Sequence, residues 1–502
     1  MTLSRLLVAR RGAPVAAFAA GAAAVAAFSF PQWFALAPAA LALLFAQWLR
    51  AHSPRRAAAL GFAVGLGQFG AGVSWIYVSL HDFGMMPAPL AALATFTYCC
   101  YLALFPALVG SLQARFDLPA PIRLLALIPA LWTLAEWMRG WLLTGFPWLA
   151  LGYSQLDTPL AGFAPLGGIY LVSFATCLLA ALALLLAIAA RGLRALAAAG
   201  LVLLIVAGHA LRDIEWTQAL ADPVRVALIQ GNIPQSLKFD PRRYQQTLDT
   251  YGRLVLSADA RLIVLPETAI PRFLDTIDAG YLDELARHAR SKRGDILLGV
   301  PMNEAGGGFT NSVVTLGGSP PQRYAKSHLV PLGEFVPPEF GWIVSVLRIP
   351  LSDFARGSER PGPLEVAGAR VAVNICYEDA FGEEIIRQLP QATLLANVSN
   401  VAWFGDSLAP GQHLQISRMR SIETGRTMLR ATNTGITAII DSRGAVTARL
   451  PAFTEGVLSG SAQQFTGATP YVRLGNAPVL MLATLLVFAA LVLLTLRLRQ
   501  AT

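Results

Sequence analysis

Three polar side chains of types that perform acyl chemistry occur at the ends of apolar segments in the C-terminal half of the chain. Glu267 follows the segment VLP, Lys326 lies in YAKSHLVPLGE, and Cys376 follows VAVNI in NICYED. Covalent acyl transfer needs a nucleophile, a base that accepts its proton and a cation beside the developing oxyanion. A cysteine, a glutamate and a lysine supply one of each, so we predict that these residues form a catalytic site.

The four cysteines differ in their surroundings. Cys99, Cys100 and Cys177 lie within long apolar runs, where cysteine usually packs as a small apolar residue, and only Cys376 lies in the polar part of the chain. A disulfide framework is therefore not expected. Helical sequence resumes near Phe381, and a thiol between a strand end and a helix start is close to backbone N–H groups and a positive dipole. We therefore predict a lowered pKa for the Cys376 thiol.

Other site chemistries find less support in the sequence. The chain contains neither a CxxC pair nor an HExxH motif, so no metal site and no cofactor are predicted. Two histidines of the polar region, His328 and His413, leave a Cys–His protease pairing as an alternative.

The region around the three residues alternates between predicted strands and helices. Apolar segments that fit buried strands are separated by segments with helical spacing. The predicted strands are Val224–Gln230, Arg261–Pro266, Ile296–Val300, Asn311–Leu316, Val371–Ile375 and Thr393–Asn397, and the predicted helices are Tyr244–Ala258, Ala279–Ser291, Glu383–Gln388 and Gly411–Thr424. This alternation predicts a layered α/β domain over residues 212–470, with the three side chains at strand ends.

The remainder of the chain is strongly apolar. Of the 502 residues, 55% are hydrophobic and only 14% are charged, and the mean hydropathy is +0.53. Soluble proteins carry about 25% charged residues. Apolar runs predict about eight transmembrane helices, seven within residues 1–211 and one within residues 471–502. They lie at about 13–29, 33–49, 57–80, 88–112, 122–143, 166–189, 193–210 and 475–496, and the first two are predicted to form a helical hairpin.

Arginine is distributed unevenly between the loops that join these runs. The segment before the first run and the loops after the second, fourth and sixth runs contain arginine, whereas residues 29–32, 81–87 and 145–167 contain neither lysine nor arginine. Because positively charged loops stay in the cytoplasm, both termini are predicted to be cytoplasmic and the α/β domain extracytoplasmic. This topology also accounts for much of the net charge of +9, so no nucleic-acid partner is predicted.

The order and context of Glu267, Lys326 and Cys376 resemble those of the nitrilase, or carbon–nitrogen hydrolase, superfamily. Longer segments narrow the resemblance to the apolipoprotein N-acyltransferase family. They are IQGNIPQSLKFDP, VLPETAIP, YAKSHLVPLGEFVP, NICYED and NVSNVAWFGDSLAPGQHLQISRMRSIETGR in the polar region, and SWIYVSLHDFG and EWMRGWLLTGFPWL in the apolar part. The resemblance implies a membrane α-helical bundle joined to an αββα sandwich domain.

The resemblance also implies a role for each matching residue. Glu267 is expected to be the general base, Lys326 to stabilise the tetrahedral oxyanion and Cys376 to be the nucleophile. Supporting roles are implied for three further residues, Glu334, Tyr377 and Glu378.

Further positions are hypotheses for substrate contacts. Phe239 stands where the family often has tryptophan, so stacking area is kept and an indole N–H is lost. Phe340–Ile349, which includes Trp342, is predicted to enter the membrane surface and gate lipid entry, with a buried core helix as the alternative. Glu136 and Arg139 are candidates because ionisable residues at membrane depth are usually functional, with a structural ion pair as the alternative.

The implied reaction is a ping-pong transfer. Cys376 takes an acyl chain from a phospholipid, expected to be phosphatidylethanolamine, and holds it as a thioester. The α-amino group of a diacylglyceryl-modified N-terminal cysteine of an apolipoprotein then receives the chain. The implied location is the bacterial inner membrane, with the site on its periplasmic face. The alternatives are a membrane-tethered amidase or nitrilase, in which water resolves the thioester, and a non-catalytic scaffold or transporter.

Overall fold

The chain forms two compact units. A computed structural model describes residues 12–331, 333–335 and 354–501. The first unit comprises the residues up to Tyr77, Pro87–Ile214 and the residues from Arg473 onward, and the second comprises Val78–Met86 and Glu215–Val472. The whole segment predicted to gate lipid entry, Phe340–Ile349 with Trp342, lies outside the described residues, so its role stays a prediction.

Apolar helices build the first unit. Six of the described helices are long and apolar enough to cross a membrane: Pro31–Leu49, Ala88–Gln113, Ala120–Arg139, Pro159–Ile188, Arg191–Asp213 and Ala477–Gln500. A seventh span results if the bent pair Pro54–Gly72 and Trp75–Phe83 is counted as one, whereas the first apolar run forms only the short helical segment Ala13–Ser29. All eight predicted runs are thus helical, and the first is short because the chain breaks before Pro31.

The hairpin predicted at the start of the chain is confirmed. Gln47 Nε2 donates to the carbonyl oxygen of Ala13 at 3.1 Å, which brings the end of the second helix to the start of the first. Glycines allow the first helix to approach Pro54–Gly72 closely. A Cβ atom on Gly21 would collide with the backbone of that helix, and one on Gly67 would collide with the backbone of the first.

Two six-stranded sheets build the second unit. The strand order of the first sheet is Gly456–Ala462, Val224–Gln230, Leu262–Val264, Asp295–Asn303, Phe309–Gly317 and Arg323–Ala325. The strand order of the second is Val446–Leu450, Thr437–Ile440, Met428–Thr432, Leu394–Ser399, Ala369–Ile375 and Leu364–Val366. In each sheet the three central strands are parallel and the flanking strands pair antiparallel.

Apolar side chains fill the space between the sheets and cover both outer faces. Leu228 of the first sheet and Leu429 of the second belong to one buried cluster between the sheets. The outer face of the first sheet packs against the helices Tyr244–Ser257 and Ala279–Ser291. The outer face of the second sheet packs against Ala409–Thr424. These four layers confirm the predicted αββα sandwich.

The two ends of the segment Glu215–Val472, which forms most of the second unit, lie side by side. Thr217–Ala219 pairs antiparallel with Phe465–Gly467 in a separate two-stranded sheet. The strands next to them along the chain, Val224–Gln230 and Gly456–Ala462, also pair antiparallel over their full length. The segment Glu215–Val472 therefore begins and ends at adjacent positions.

Candidate active site

Glu267 lies three residues beyond the end of the strand Leu262–Val264 and is only 7% exposed. Asn311 Nδ2 donates to its Oε1 atom at 2.7 Å, and the backbone N–H of Asn400 donates to its Oε2 atom at 2.8 Å. Both carboxylate oxygens are therefore held by donors, which fixes the orientation of the side chain.

Lys326 follows the short strand Arg323–Ala325 and is 1% exposed. Its Nζ atom lies 2.8 Å from Glu334 Oε1 and 3.6 Å from Glu267 Oε1. Burial opposes the charge of this ammonium, but the Glu334 and Glu267 carboxylates outweigh burial and hold the pKa of Lys326 above its usual range. The lysine is therefore a permanent buried cation between two carboxylates.

Asn311, on the strand Phe309–Gly317, holds these three groups together. Its Nδ2 atom donates to Glu334 Oε1 at 3.1 Å as well as to Glu267, and its backbone oxygen accepts from the N–H of Lys326 at 2.8 Å. The other oxygen of Glu334 accepts from the N–H of Val330 at 2.8 Å. The structure thus brings Glu334, predicted as a supporting residue, into direct contact with Lys326.

Cys376 directly follows the strand Ala369–Ile375. Its backbone φ is 54°, in the left-handed region that non-glycine residues rarely adopt. Its carbonyl oxygen accepts from Asn397 Nδ2 at 3.0 Å and from His413 Nε2 at 3.2 Å. A rare backbone conformation persists only where the surroundings enforce it. These two buried donors hold the sharp turn that carries the thiol.

Charges of the neighbouring residues act on the Cys376 thiol. Burial and the Glu267 carboxylate raise its pKa to about 12, and the Lys326 ammonium opposes this increase. The expectation of a lowered pKa is therefore wrong for the resting site, because burial and a nearby carboxylate outweigh the strand-to-helix position. A thiol with a raised pKa needs a proton acceptor before it can react as a thiolate. The Glu267 carboxylate is close enough to raise the pKa of the Cys376 thiol, which makes it the candidate acceptor.

The reactivity of Cys376 is expected to rise steadily with pH. Iodoacetamide reacts with the thiolate, and the thiolate fraction of a thiol far below its pKa rises about tenfold per pH unit. Site-resolved mass spectrometry should therefore show the alkylation rate constant rising by about this factor per unit between pH 6 and pH 8. A plateau within this range would indicate a thiolate in the resting site and contradict the raised pKa.

A buried polar cluster lies behind the turn at Cys376. His413 Nε2 is 2.7 Å from Asp379 Oδ1, and Ser417 Oγ donates to Asp379 Oδ2 at 2.5 Å. Arg430 Nη1 donates to Asn397 Oδ1 at 2.7 Å, and it also lies 3.4 Å from Asp379 Oδ2. This cluster fixes the two side chains that hold the Cys376 carbonyl.

The histidines weighed from the sequence as partners of the thiol have other contacts. His413 Nε2 faces the carbonyl of Cys376 and the carboxylate of Asp379. His328 stacks on Phe381 with ring centroids 3.7 Å apart, and its Nδ1 atom lies 3.0 Å from Glu384 Oε1. These contacts favour structural roles for both histidines over a Cys–His pairing.

Glu378 joins the segments that carry Cys376 and Lys326. Its two oxygens accept five hydrogen bonds of 2.7–3.0 Å, from Tyr324 Oη, Ser327 N–H, Ser327 Oγ, His328 N–H and Ile375 N–H. Burial raises the pKa of Glu378 in spite of these donors. The carboxylate thus connects the strand before the thiol to the loop after the lysine.

Tyr377, the other predicted supporting residue, belongs to an aromatic group beside Cys376. Its ring packs edge-on against Phe381, with centroids 5.0 Å apart, and lies 5.9 Å from the ring of His328.

Three residues that contact the site were not predicted from the sequence: Asn311, Asn400 and Lys238. Lys238 is 2% exposed, and its Nζ atom donates to the backbone oxygen of Glu267 at 3.2 Å. Burial lowers the pKa of Lys238 to about 8, although the charges of Glu267 and Cys376 oppose this change. The available signal was weak, because polar residues in loops are usually solvated.

The candidate substrate contacts lie in different environments. Phe239 is 45% exposed on the second unit. Glu136 and Arg139 are buried in the first unit, where Glu136 Oε1 accepts from Trp132 Nε1 at 3.0 Å and Arg139 Nη1 donates to the carbonyl oxygen of Trp148 at 2.6 Å. Their charged groups hold separate partners, and a contact of these residues with substrate stays a prediction.

Comparisons with known proteins cover both units. Residues 20–182 match the family model described as the apolipoprotein N-acyltransferase N-terminal domain, and residues 225–471 match the carbon–nitrogen hydrolase model. A relative named apolipoprotein N-acyltransferase from Nitrosomonas europaea is 52% identical over 95% of this chain and 96% of its own length. One with the same name from Chromobacterium violaceum is 47% identical over 95% of this chain and 93% of its own length. With buried Glu267, Lys326 and Cys376 at strand ends of a nitrilase-like sandwich, the chain belongs to the apolipoprotein N-acyltransferase family.

Proposed function

We propose that the chain transfers a fatty acyl chain from a phospholipid, phosphatidylethanolamine in particular, to the α-amino group of the diacylglyceryl-modified N-terminal cysteine of an apolipoprotein. The proposal depends chiefly on one observation. The ammonium of Lys326 lies between the carboxylates of Glu267 and Glu334 in one buried site, and the charges of all three act on the buried thiol of Cys376. The name shared by the relatives supports the acceptor class.

In the first half-reaction, Glu267 accepts the proton of Cys376, and the thiolate attacks the ester carbonyl of the phospholipid. Lys326 stabilises the oxyanion of the tetrahedral intermediate, and its two carboxylate partners keep it charged. When the carbon–oxygen bond breaks, the protonated Glu267 returns the proton to the leaving alkoxide. The products are a thioester on Cys376 and a lysophospholipid.

In the second half-reaction, the α-amino group of the acceptor attacks the thioester carbonyl. Glu267 accepts a proton from the attacking amine, and Lys326 again stabilises the oxyanion. The carbon–sulfur bond then breaks, the sulfur regains a proton, and the acceptor carries the chain as an amide. The transfer is favourable because the thioester reacts readily with an amine, whereas the amide that forms is stable.

The proposed location is the bacterial inner membrane. Residues 1–211 and 471–502 would carry the transmembrane helices, and residues 212–470 would form the periplasmic domain, with both termini cytoplasmic. The distribution of arginine between the loops supports this orientation. A site at the membrane surface suits two lipid substrates, because each CH₂ group moved into water would cost about 0.8 kcal/mol.

Trapping the thioester tests this proposal. Purified protein incubated with phosphatidylethanolamine alone should gain one acyl chain in its intact mass, mapped to Cys376, and Cys376→Ala should gain none. A diacylated lipopeptide with a free α-amino group should remove the chain and become N-acylated.

The same lipopeptide with an acetylated N-terminus is the matched control, since it lacks the attacking amine and should leave the adduct in place. Free fatty acid without N-acylated peptide would instead support a hydrolase. An adduct in neither protein would contradict the acyltransferase proposal.

A further inference from the structure

Lys238 has the opposite exposure from its neighbours. It ends the short helix Gln235–Lys238, and its charged side chain is 2% exposed, whereas the adjacent Leu237 and Phe239 are 37% and 45% exposed. A lysine is almost never fully buried unless it is paired. The inward position of this cation therefore calls for a negative charge inside the site.

The helix is attached to the residues that orient Glu267. Gln235 Oε1 accepts from Asn400 Nδ2 at 2.9 Å, and the backbone N–H of Asn400 donates to Glu267 Oε2 at 2.8 Å. Lys238 Nζ donates to the backbone oxygen of Glu267 at 3.2 Å. Two side chains of one short helix thus contact the surroundings of Glu267.

The charge of Lys238 has no carboxylate partner of its own. Within residues 12–331, 333–335 and 354–501, no carboxylate oxygen forms an ion pair with its Nζ atom, which contacts only the Glu267 carbonyl. Leaving an ammonium buried without a counter-ion is costly. The titratable groups that act on it are Glu267, on the loop after Leu262–Val264, and Cys376, at the start of the segment Cys376–Ala380.

The formal charges of Glu267, Glu334 and Lys326 sum to −1, and those of the four groups sum to zero when Lys238 is included. Glu267 and Glu334 contribute two negative charges, and Lys326 contributes one positive charge. Lys238 supplies the second positive charge. When the proton of Cys376 passes to Glu267, one negative charge moves to the sulfur and later to the acyl oxygen, and the total stays at zero.

We propose that Lys238 is an electrostatic positioning residue. Its ammonium offsets the negative charge that forms on the sulfur of Cys376 and then on the oxygen of the tetrahedral intermediate. Lys326 is held 2.8 Å from Glu334, whereas Lys238 is a second buried cation, next to Glu267, that forms no ion pair with a carboxylate of the described residues. The inference rests on the proposed function only for the identity of the nucleophile.

Alkylation of Cys376 in the full-length protein tests this role without either lipid. We expect Lys238→Met and Lys238→Gln to slow the reaction with iodoacetamide about tenfold at pH 7, which corresponds to a rise of one unit in the thiol pKa. Lys238→Arg should keep the wild-type rate because it keeps the charge. Site-resolved mass spectrometry measures the rate constants.

The dependence of these rates on pH separates charge from packing. The advantage of wild type over Lys238→Gln should shrink to less than about threefold at pH 9.5, where Lys238 has lost its proton, whereas Lys238→Arg should remain fast there. A Lys238→Gln variant as fast as wild type at every pH, or one slower by a constant factor, would overturn the proposal.

Protein stability does not confuse this comparison. Thermal melting identifies a variant that does not fold, and the wild-type to Lys238→Gln ratio across pH then carries the test alone. Because alkylation needs neither phospholipid nor lipopeptide, a wrong acyl-transfer proposal would leave these outcomes unchanged.

Discussion

Replacing Lys326 by methionine is expected to lower the rate of acyl transfer by at least about 10³-fold, since loss of one oxyanion donor alone costs about 10²–10³-fold. The ammonium also lowers the pKa of the Cys376 thiol, so its removal weakens the nucleophile as well as the stabilisation of the intermediate. Both half-reactions should slow, because both pass through an oxyanion. The rate of acyl-adduct formation and its discharge by lipopeptide measure them separately.

The same substitution is expected to destabilise the second unit. Without Lys326, the Glu267 and Glu334 carboxylates keep only their hydrogen-bond donors and face each other across the shared amide of Asn311. Removing one partner of a buried ion pair costs about 3–5 kcal/mol. Thermal melting of the purified protein should show this loss as a lower Tm.

A double variant separates the two effects. Adding Glu334→Gln to Lys326→Met removes one negative charge along with the positive one and should recover part of the lost stability. It should not recover activity, because no cation stands beside the oxyanion. Recovery of acyl transfer in the double variant would show that Lys326 acts only through folding.

Substitutions of Glu378 are expected to have a graded effect on stability. Alanine leaves the backbone N–H groups of Ser327, His328 and Ile375 without their acceptor, at about 1–3 kcal/mol for each buried donor, so the unit should lose several kcal/mol. Glutamine keeps one oxygen, and the Tyr324 hydroxyl can turn to accept from the new amide. The loss should then be close to that of one donor.

Thermal melting and the Cys376 alkylation rate together check this series. Glu365→Ala is the matched control, since Glu365 is an exposed carboxylate on the strand Leu364–Val366 and should leave both quantities unchanged. Glu378→Gln should slow alkylation, because the strand before the thiol and the loop after Lys326 lose their common anchor. A Glu378→Ala protein as stable as wild type would contradict this role.

Apolar periodicity predicted the framework of the site well. Glu267 and Cys376 each follow a buried apolar segment, and the helix Ala279–Ser291 has the predicted bounds because its apolar positions repeat at helical spacing. The strand ends then bring Glu267, Lys326 and Cys376 together although they are far apart in sequence.

The strands from Met428 to Ala462 were not predicted, for a physical reason. Arg430 interrupts the apolar pattern of Met428–Thr432, yet it is buried, with its Nη1 atom in contact with Asp379 and Asn397. Lys238 is a similar case, since its hydrogen-bond partner, the backbone oxygen of Glu267, belongs to a different segment of the chain. Burial of a polar side chain depends on tertiary contacts that local sequence does not encode.

The adjacent ends of the segment Glu215–Val472 affect how the sandwich is joined to the rest of the chain. Thr217–Ala219 and Phe465–Gly467 pair as a two-stranded antiparallel ribbon, which holds the first and last residues of the sandwich together. A segment with adjacent ends can stand between the helices Arg191–Asp213 and Ala477–Gln500 along the chain without requiring the ends of these helices to be far apart. The sandwich thus meets the geometric condition for insertion between two helices, which is that its two ends lie close together.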